Sequence, residues 1–205
     1  MKVFLASTSP RRKEMLRWLG LKYVTVAPGV DEEKIRDSDP VILAQLLAEA
    51  KAEAVAKNIG SGIVIGSDTV IEFEGTIVEK AKDIEDQRMM INLRKGKPFD
   101  IISGVCVIDA KTGKKVTKSK QTTFWMANVS KDKIEKYIQS GQGLDKGGGF
   151  GIQDENGLFI DRIEGCYTNS IGFPLCTVAE MLKNFGVNIE VDVRYEVKKR
   201  TGKDC

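Results

Sequence analysis

The amino-acid sequence predicts an α/β protein whose mixed, twisted sheet is flanked by helices. Three observations predict this fold class. Helical periodicity alternates with β-branched, apolar runs through the first half of the chain. The run 63–71 is apolar almost throughout, as in a central strand that is covered on both faces. Two long strand-like segments, 99–109 and 114–127, are joined at Lys111–Gly113 and add an antiparallel hairpin.

The elements before the central strand follow from local patterns. A strand at 2–6 leads directly to Pro10, where a helix begins, and this helix ends at Gly20. Residues 22–27 are rich in β-branched and aromatic side chains and predict a second strand. Residues 41–57 predict a helix, because apolar side chains recur on one of its faces at helical spacing: Leu43, Leu46, Leu47, Ala50 and Ala54.

The second half of the chain is less regular. The turn Glu74-Gly75 leads to a short strand, and a glycine-rich loop separates the last helices from the hairpin. We treat residues 1–205 as a single domain, with a basic tail from Arg194 that we expect to be frayed. The remaining predictions are strands at 76–78 and 158–163, helices at 83–93, 130–139 and 175–185, and a loop at 144–153.

Composition excludes several classes of protein. The 205 residues are 41% hydrophobic and 30% charged, which is typical of a globular chain. A net charge of +3 on 32 basic and 29 acidic residues gives no general nucleic-acid surface. No apolar run is long enough to be a signal peptide or a membrane span, so we expect a cytoplasmic protein with no membrane partner and no stable nucleic-acid partner.

Cysteine and histidine usage narrows the chemistry. The four cysteines form no CxxC pair, so they indicate reduced thiols rather than a zinc site. The chain has no histidine, which excludes His-based triads and imidazole acid–base catalysis. A catalyst built from this sequence must use carboxylates, lysine, arginine, hydroxyls or metal-bound water.

The segment 7–12, STSPRR, places hydroxyls and guanidinium groups at the start of a helix that directly follows a strand. Helix N-termini present unpaired N–H donors and a partial positive charge, and arginine suits phosphate oxygens. Ser7, Ser9, Arg11 and Arg12 are therefore candidates for binding an anion. The alternative is a capped surface helix with two solvated arginines.

Asp68 interrupts the apolar central strand, next to the hydroxyls of Ser67 and Thr69. An unpaired buried carboxylate costs several kcal/mol, so Asp68 should be bound to a metal, a lysine or several donors. The alternative is a carboxylate that caps a turn at the end of the strand. Lys51 lies on the apolar arc of its helix and could reach the same place, although a lysine stem can also extend along apolar surface towards solvent.

Three further segments are weaker candidates. Glu79-Lys80 follows the short strand, the acidic loop 31–33 contains Glu32, and the loop 144–153 has four glycines in five positions. Glycines allow a ligand to approach the main chain closely, but this spacing matches neither the Walker loop nor the dinucleotide fingerprint. For the acidic loop the alternative is simple solvation.

Taken in order along the chain, these segments resemble the signatures of the Maf (septum formation inhibitor) family, and they extend from residue 5 to about residue 185. The matching motifs are SxSPRR at 7–12, GxDT at 66–69, EK at 79–80, LDKxGxxGIQ at 144–153 and IEGxYxNxxGxPL at 163–175. The resemblance implies a fold shared with inosine triphosphate pyrophosphatases, in two lobes around a cleft. It also implies a divalent cation (Mg²⁺, Mn²⁺ or Co²⁺) and a homodimer.

The resemblance also implies roles for individual residues. Asp68 is expected to act as the catalytic base, with Lys51, Lys80 and Arg12 as the other catalytic residues. Asp68 and Glu32 are the expected metal ligands. The expected substrate-binding residues are Ser7, Ser9, Arg11, Arg12, Thr69, Glu79 and Gln153.

The function implied is hydrolysis of a nucleoside triphosphate to the monophosphate and pyrophosphate, by attack of water on the α-phosphate. Glu79-Lys80 resembles the branch of the family that acts on dTTP and UTP. The alternatives are a nucleotide- or nucleic-acid-binding regulator of cell division without turnover, and a structural dimerisation module. A pure binder has no need for Asp68, which favours the enzyme.

Overall fold

The computed structural model describes residues 1–154 and 157–205. The strands are β1 (Val3–Ala6), β2 (Tyr23–Val26), β3 (Ile63–Phe73), β4 (Thr76–Val78), β5 (Pro98–Asp109), β6 (Lys115–Met126) and β7 (Ile160–Glu164). The helices are α1 (Pro10–Arg17), α2 (Pro40–Ala56), α3 (Ile84–Arg94), α4 (Lys131–Gln139), α5 (Tyr167–Ser170), α6 (Leu175–Asn184) and α7 (Val193–Thr201), with one short 3₁₀ helix (Glu32–Lys34).

The strands within the described residues form one seven-stranded sheet in the order β2-β1-β3-β5-β6-β7, and β4 pairs with β3. β1 is parallel to both β2 and β3, whereas the β3–β4 and β6–β7 pairs are antiparallel. The predicted α/β fold with a mixed sheet and flanking helices is therefore confirmed. The register pairs Leu5 with Ile65, which brings the loop after β1 level with the end of the apolar part of β3.

The chain divides into two compact units. The first unit consists of Met1–Thr69, Ile102–Gln121 and Cys166–Cys205. The second unit consists of Val70–Ile101 and Thr122–Gly165. Among the described residues, none of the helices combines the length and the apolarity that crossing a bilayer requires.

In the first unit, α2 packs against the sheet through small residues. A Cβ atom at Gly66 would lie 2.7 Å from Ala52 N and 2.9 Å from Ala52 Cβ. A Cβ atom at Gly104, on the neighbouring strand, would lie 2.8 Å from Gln45 N. Both glycines therefore allow the helix backbone to approach the strands more closely than any side chain would permit. The core beneath α2 contains Ala6, Ala48, Ala52, Val55, Val64, Cys106 and Ile108.

In the second unit, aromatic rings dominate the core. Phe99 stacks on Phe124 with ring centroids 5.4 Å apart, and Tyr137 meets Phe159 edge to face at 4.8 Å. Phe150, from the glycine-rich loop, lies 4.9 Å from Phe159. Offset and edge-to-face pairs are favourable beyond the area that they bury. The loop is therefore tied to the core by an aromatic side chain as well as by main-chain contacts.

The C-terminal segment, for which we expected a frayed basic tail, forms α7. Asp192 caps this helix by accepting a hydrogen bond from Tyr195 N (3.1 Å), and Gly202 ends it in the left-handed conformation (φ 69°). Val193 and Val197 lie four residues apart and are buried. One apolar stripe is therefore enough to fix a helix whose other positions are mostly charged.

The expectation of four reduced thiols is wrong for two of the cysteines. Cys176 and Cys205 form a disulfide across a sequence separation of 29, with their Cα atoms 6.5 Å apart. Cys106 and Cys166 are free and buried. The main chain next to the bond is also held, because Tyr167 N donates to Asp204 O at 3.1 Å. Packing of the C-terminal segment brings the two sulfur atoms together, although no local spacing pattern in the sequence links these two cysteines.

We expect Gly66→Ala to destabilise the protein by about 1–3 kcal/mol, because the new methyl group has to displace α2 from β3. The matched control is Gly60→Ala, where a Cβ atom would meet nothing within 4 Å. Urea unfolding of both variants measures the difference. Equal midpoints for Gly66→Ala and Gly60→Ala would contradict the close approach of α2.

Candidate active site

An ion pair in the first unit forms the centre of the candidate active site. Lys51 Nζ on α2 lies 2.5 Å from Asp68 Oδ1 on β3. The side chains of Lys51 and Asp68 are 8% and 13% exposed, so the pair is largely removed from water. A buried charge of either sign is stable only when it is paired. We predicted that Asp68, a carboxylate in an apolar strand, needs a partner, and Lys51 on α2 is that partner.

A second carboxylate reaches the same ammonium group. Glu32 Oε1, in the 3₁₀ helix, lies 2.8 Å from Lys51 Nζ, and the Glu32 side chain is 51% exposed. Glu32 comes from the acidic loop, whose alternative explanation was simple solvation. The contact with a buried lysine ties this loop to β3 through a shared cation. Since Glu32 is half exposed, its share of the attraction is screened by water more than that of Asp68.

Three hydrogen bonds hold the guanidinium group of Arg12 in this site. Its Nε donates to Gly172 O at 2.9 Å and its Nη1 to Ser67 O at 2.8 Å, while Nη2 donates to Thr69 Oγ1 at 3.3 Å. A guanidinium group has five N–H donors, so these contacts leave two for a ligand. Arg12 therefore binds the residues on either side of Asp68, the main chain of Ser67 and the hydroxyl of Thr69, a role that the sequence did not suggest.

Burial and the neighbouring charges act on the pKa of Arg12 in opposite directions. Burial lowers the pKa of Arg12 below its ordinary value, and the carboxylates of Asp68 and Glu32 oppose the decrease. The neighbouring Arg11 lowers the pKa slightly further. The guanidinium group thus lies in a region that already contains two negative charges. This arrangement favours its charged form despite the loss of water.

The loop before α1 has the form of an anion site. Ser9 caps the helix, because its Oγ accepts from Arg12 N at 3.4 Å. Ser7 is 5% exposed, and its Oγ accepts from Ser9 N at 3.2 Å. The two hydroxyls therefore shape the turn, while Arg11 is exposed to solvent. The partial positive charge of the α1 N-terminus adds to that of Arg12.

The structure brings together most of the predicted residues of the first unit. Thr69 Oγ1 bonds to Ser103 Oγ at 3.0 Å, so β5 contributes a hydroxyl that had not been predicted as a site residue. Gly172, whose carbonyl group accepts from Arg12, has a φ of 89° and was visible in the sequence only as a motif position. Ser67 points its carbonyl oxygen rather than its hydroxyl at Arg12.

The other predicted site residues belong to the second unit. Glu79, Lys80 and Gln153 are exposed. Lys80 forms a β-bridge with Gly147, and Glu79 O accepts from Gly148 N at 2.9 Å. The EK pair and the glycine-rich loop, which the sequence treated as separate candidates, are therefore adjacent segments of one sheet-like contact.

The carboxylates of the first unit fit a hard divalent cation. Asp68 and Glu32 each place an oxygen within 2.8 Å of one positive group, Lys51 Nζ, so the two carboxylates can share a cation. No cluster of three or more His, Cys, Asp or Glu occurs in the part of the chain that the structure describes. Such a sparse oxygen set suits Mg²⁺ or Mn²⁺, which keep waters and substrate phosphates as ligands. It does not suit a closed zinc site.

Comparison with known proteins gives consistent matches. The profile of the family described as Maf-like protein matches residues 2–185. The dTTP/UTP pyrophosphatase of Syntrophomonas wolfei is 36% identical over 185 residues, which cover 90% of this chain and 98% of that protein. The protein of the same name from Methanosarcina barkeri is 37% identical over 188 residues, covering 91% of this chain and 95% of that protein.

A solved structure is also similar. The Ham1 protein of Staphylococcus aureus aligns with a TM-score of 0.44 at 14% identity, covering 62% of this chain and 73% of that chain.

We expect Lys51→Met to destabilise the protein by about 3 kcal/mol, since it leaves the carboxylate of Asp68 largely buried and unpaired. Asp68→Asn should recover part of this loss when the two changes are combined, so the double variant should be more stable than the sum of the single effects implies. Urea unfolding measures all three variants. Lys57→Met, at the exposed end of α2, is the control. Additive effects of the two changes would show that the ion pair contributes nothing to stability.

Proposed function

This chain belongs to the Maf-like protein family, and we propose that it is a nucleoside triphosphate pyrophosphatase that converts dTTP and UTP to the monophosphate and pyrophosphate. Relatives that carry the name dTTP/UTP pyrophosphatase are 36–37% identical over 90–91% of the chain. Because the match extends over nearly the whole of those relatives, it includes every motif from Ser7 to Leu175.

The observation that carries the proposal is the ion pair of Lys51 and Asp68 beside Arg12 and the start of α1. A protein that only binds nucleotides needs cations and N–H donors, but gains nothing from a largely buried carboxylate facing the anion. An enzyme that activates water needs that carboxylate. Lys51 makes the charge of Asp68 tolerable in the sheet, and Arg12 orients the strand that carries it.

We assign the reaction to attack of water on the α-phosphorus. Asp68 accepts the proton of the attacking water, and the electron pair of the broken anhydride bond leaves on pyrophosphate. Lys51 and the two unused donors of Arg12 stabilise negative charge on the phosphate oxygens. Such displacements depend mainly on positioning and electrostatics, so a site without histidine is adequate.

Residues outside this centre receive roles from the family resemblance. Ser9 and Arg11 bind phosphate at the start of α1, and Thr69 supports the strand next to Asp68. In the second unit, Lys80 neutralises phosphate charge, while Glu79 and Gln153 bind the nucleotide. Ser7 shapes the turn that presents these groups.

Asp68 and Glu32 are the residues that would hold the divalent cation. When bound, Mg²⁺, Mn²⁺ or Co²⁺ lowers the charge on the triphosphate and polarises its phosphate oxygens.

We also propose a homodimer in the cytoplasm, where nucleoside triphosphates are made and used. Sedimentation measures the first point. A stable disulfide is uncommon in that compartment, so thiol trapping of Cys176 and Cys205 in cells tests the second.

The proposed function is tested by identifying the reaction product. Incubation with dTTP, UTP and a panel of canonical and modified triphosphates, plus Mg²⁺ or Mn²⁺, should release pyrophosphate and the monophosphate. Orthophosphate as the first product would indicate γ-cleavage and would refute attack at the α-phosphorus. Binding without any product would favour a regulator of the kind considered above.

Asp68→Asn should lower kcat by about 10²–10⁴-fold, the range for loss of a general base, while KM changes much less. Asp161→Asn, which alters an exposed carboxylate on β7, is the matched control and should keep wild-type turnover. Circular dichroism at the assay temperature checks that both variants are folded. Near wild-type turnover by folded Asp68→Asn would remove Asp68 from the chemistry.

A further inference from the structure

Buried polar side chains of α3 hold the glycine-rich loop of the second unit. Arg94, the last residue of α3, is 1% exposed, and its Nη2 donates to Gly148 O. Gln87, about two turns earlier on the same face of α3, is 0% exposed, and its Nε2 donates to Gln142 O at 2.7 Å and to Gly149 O at 2.8 Å. Gly148 and Gly149 have φ values of 74° and 81°. Side chains of α3 thus replace the backbone partners that an irregular buried loop would otherwise lack.

The guanidinium group of Arg94 is buried with only two carbonyl groups as hydrogen-bond partners in the described residues, Gly148 O and, at 3.0 Å from its Nε, Met90 O. Its guanidinium lies 5.8 Å from the ring centre of Phe99 and 5.3 Å from that of Phe150, and its Nη1 has no hydrogen-bond partner in the described residues. Burial lowers the pKa of Arg94 to about 10. A buried charge without a carboxylate is destabilising, and an apolar side chain of similar volume is often more favourable. Stability therefore does not explain why arginine occupies this position.

Gly148, whose carbonyl group Arg94 contacts, is also bound through its N–H group. Gly148 N donates to Glu79 O at 2.9 Å, and the preceding residue, Gly147, forms the β-bridge with Lys80. The main chain at Glu79–Lys80 is therefore connected to the guanidinium of Arg94 through a single residue, Gly148. A side chain at position 148 would meet Arg94 Cζ at 2.9 Å, so the contact requires glycine there.

The ammonium group of Lys80 lies near the same loop. Lys146 lowers the pKa of Asp145, and Lys80 adds a weaker contribution of the same sign. Lys80 itself is exposed, so its own packing does not fix its position. What fixes it is the main chain on which it sits, and that main chain is paired with the loop.

We propose that Arg94 is a positioning residue of the enzyme: by holding Gly148, it fixes the main chain at Glu79–Lys80 and so restricts the positions that the Lys80 ammonium group can take. The inference rests on the proposed function, since it assumes that Lys80 acts on substrate. It adds a residue that touches neither the substrate nor a cation, and whose burial in the core gives no sign of a role in the reaction.

The test compares Arg94→Leu with Arg94→Lys. Arg94→Leu should fold with an unchanged or higher Tm, because it removes an unpaired charge from the core. Its kcat/KM for dTTP or UTP should fall by about 10–100-fold, the scale expected when a charged group is misplaced by about 1 Å. Arg94→Lys, which can still donate to Gly148 O, should recover part of the loss. Wild-type kcat/KM for folded Arg94→Leu would overturn the proposal.

A double-mutant cycle separates positioning from a general effect on the fold. In the background of Lys80→Ala, Arg94→Leu should cause little further loss, because both changes act through the same ammonium group. Losses that multiply fully would overturn the proposal. Arg88→Leu is the control on the same helix, since it removes the ion pair with Glu135 without touching the loop. It should leave kcat/KM unchanged in both backgrounds.

Hydrogen exchange keeps the proposal testable if no triphosphate is hydrolysed or if Arg94→Leu unfolds. Exchange of the Gly148 N–H, which bonds to Glu79 O, should be faster in Arg94→Leu than in wild type, at equal global stability. If Arg94→Leu unfolds, Arg94→Lys takes its place and should show a smaller increase. Unchanged exchange at Gly148 would overturn the positioning role even for an active enzyme. Faster exchange in an enzyme without turnover would refute the proposed function alone.

Discussion

The first unit depends on one constraint, a carboxylate placed in an apolar strand and compensated by a lysine placed on an apolar helical face. Neither residue is tolerable alone at that depth, and the two are compatible only because α2 lies close enough for Lys51 to reach Asp68. That closeness comes from Gly66, which carries no side chain between helix and strand. A stability problem in the core and the chemistry of the site are thus solved by the same contact.

Buried cations have different roles in the two units. Lys51 is paired with carboxylates, whereas Arg94 is paired with two carbonyl groups and its flanking aromatic rings. Arg12 lies between these cases, since two of its contacts are carbonyl groups and its surroundings are acidic. The two arginines thus fix main chain, and none of the three cations forms a fully exposed surface ion pair of small value.

Much of the fold was predictable, because helices and strands are encoded by local periodicity. Asp68 and Lys51 were found for the same reason, as charges that interrupt apolar patterns. The sequence did not show which way individual side chains point. Arg12 was predicted to face phosphate, and three of its donors instead face protein atoms. Arg94 lies in a segment rich in basic residues, so nothing local distinguishes it from a solvated side chain. The long-range contacts of the C-terminal segment, both α7 and its disulfide, likewise have no local signature.

The chain passes between the two units at four borders, which follow residues 69, 101, 121 and 165. Neither unit is therefore an uninterrupted stretch of sequence, and β3, β5 and β6 each contribute to both. A polypeptide that stops at any one border lacks strands or helices of at least one unit. Recombination between relatives can thus exchange the second unit only through paired crossovers, one pair for each of its two segments. The closing of such distant contacts also makes slow folding the expectation for this topology.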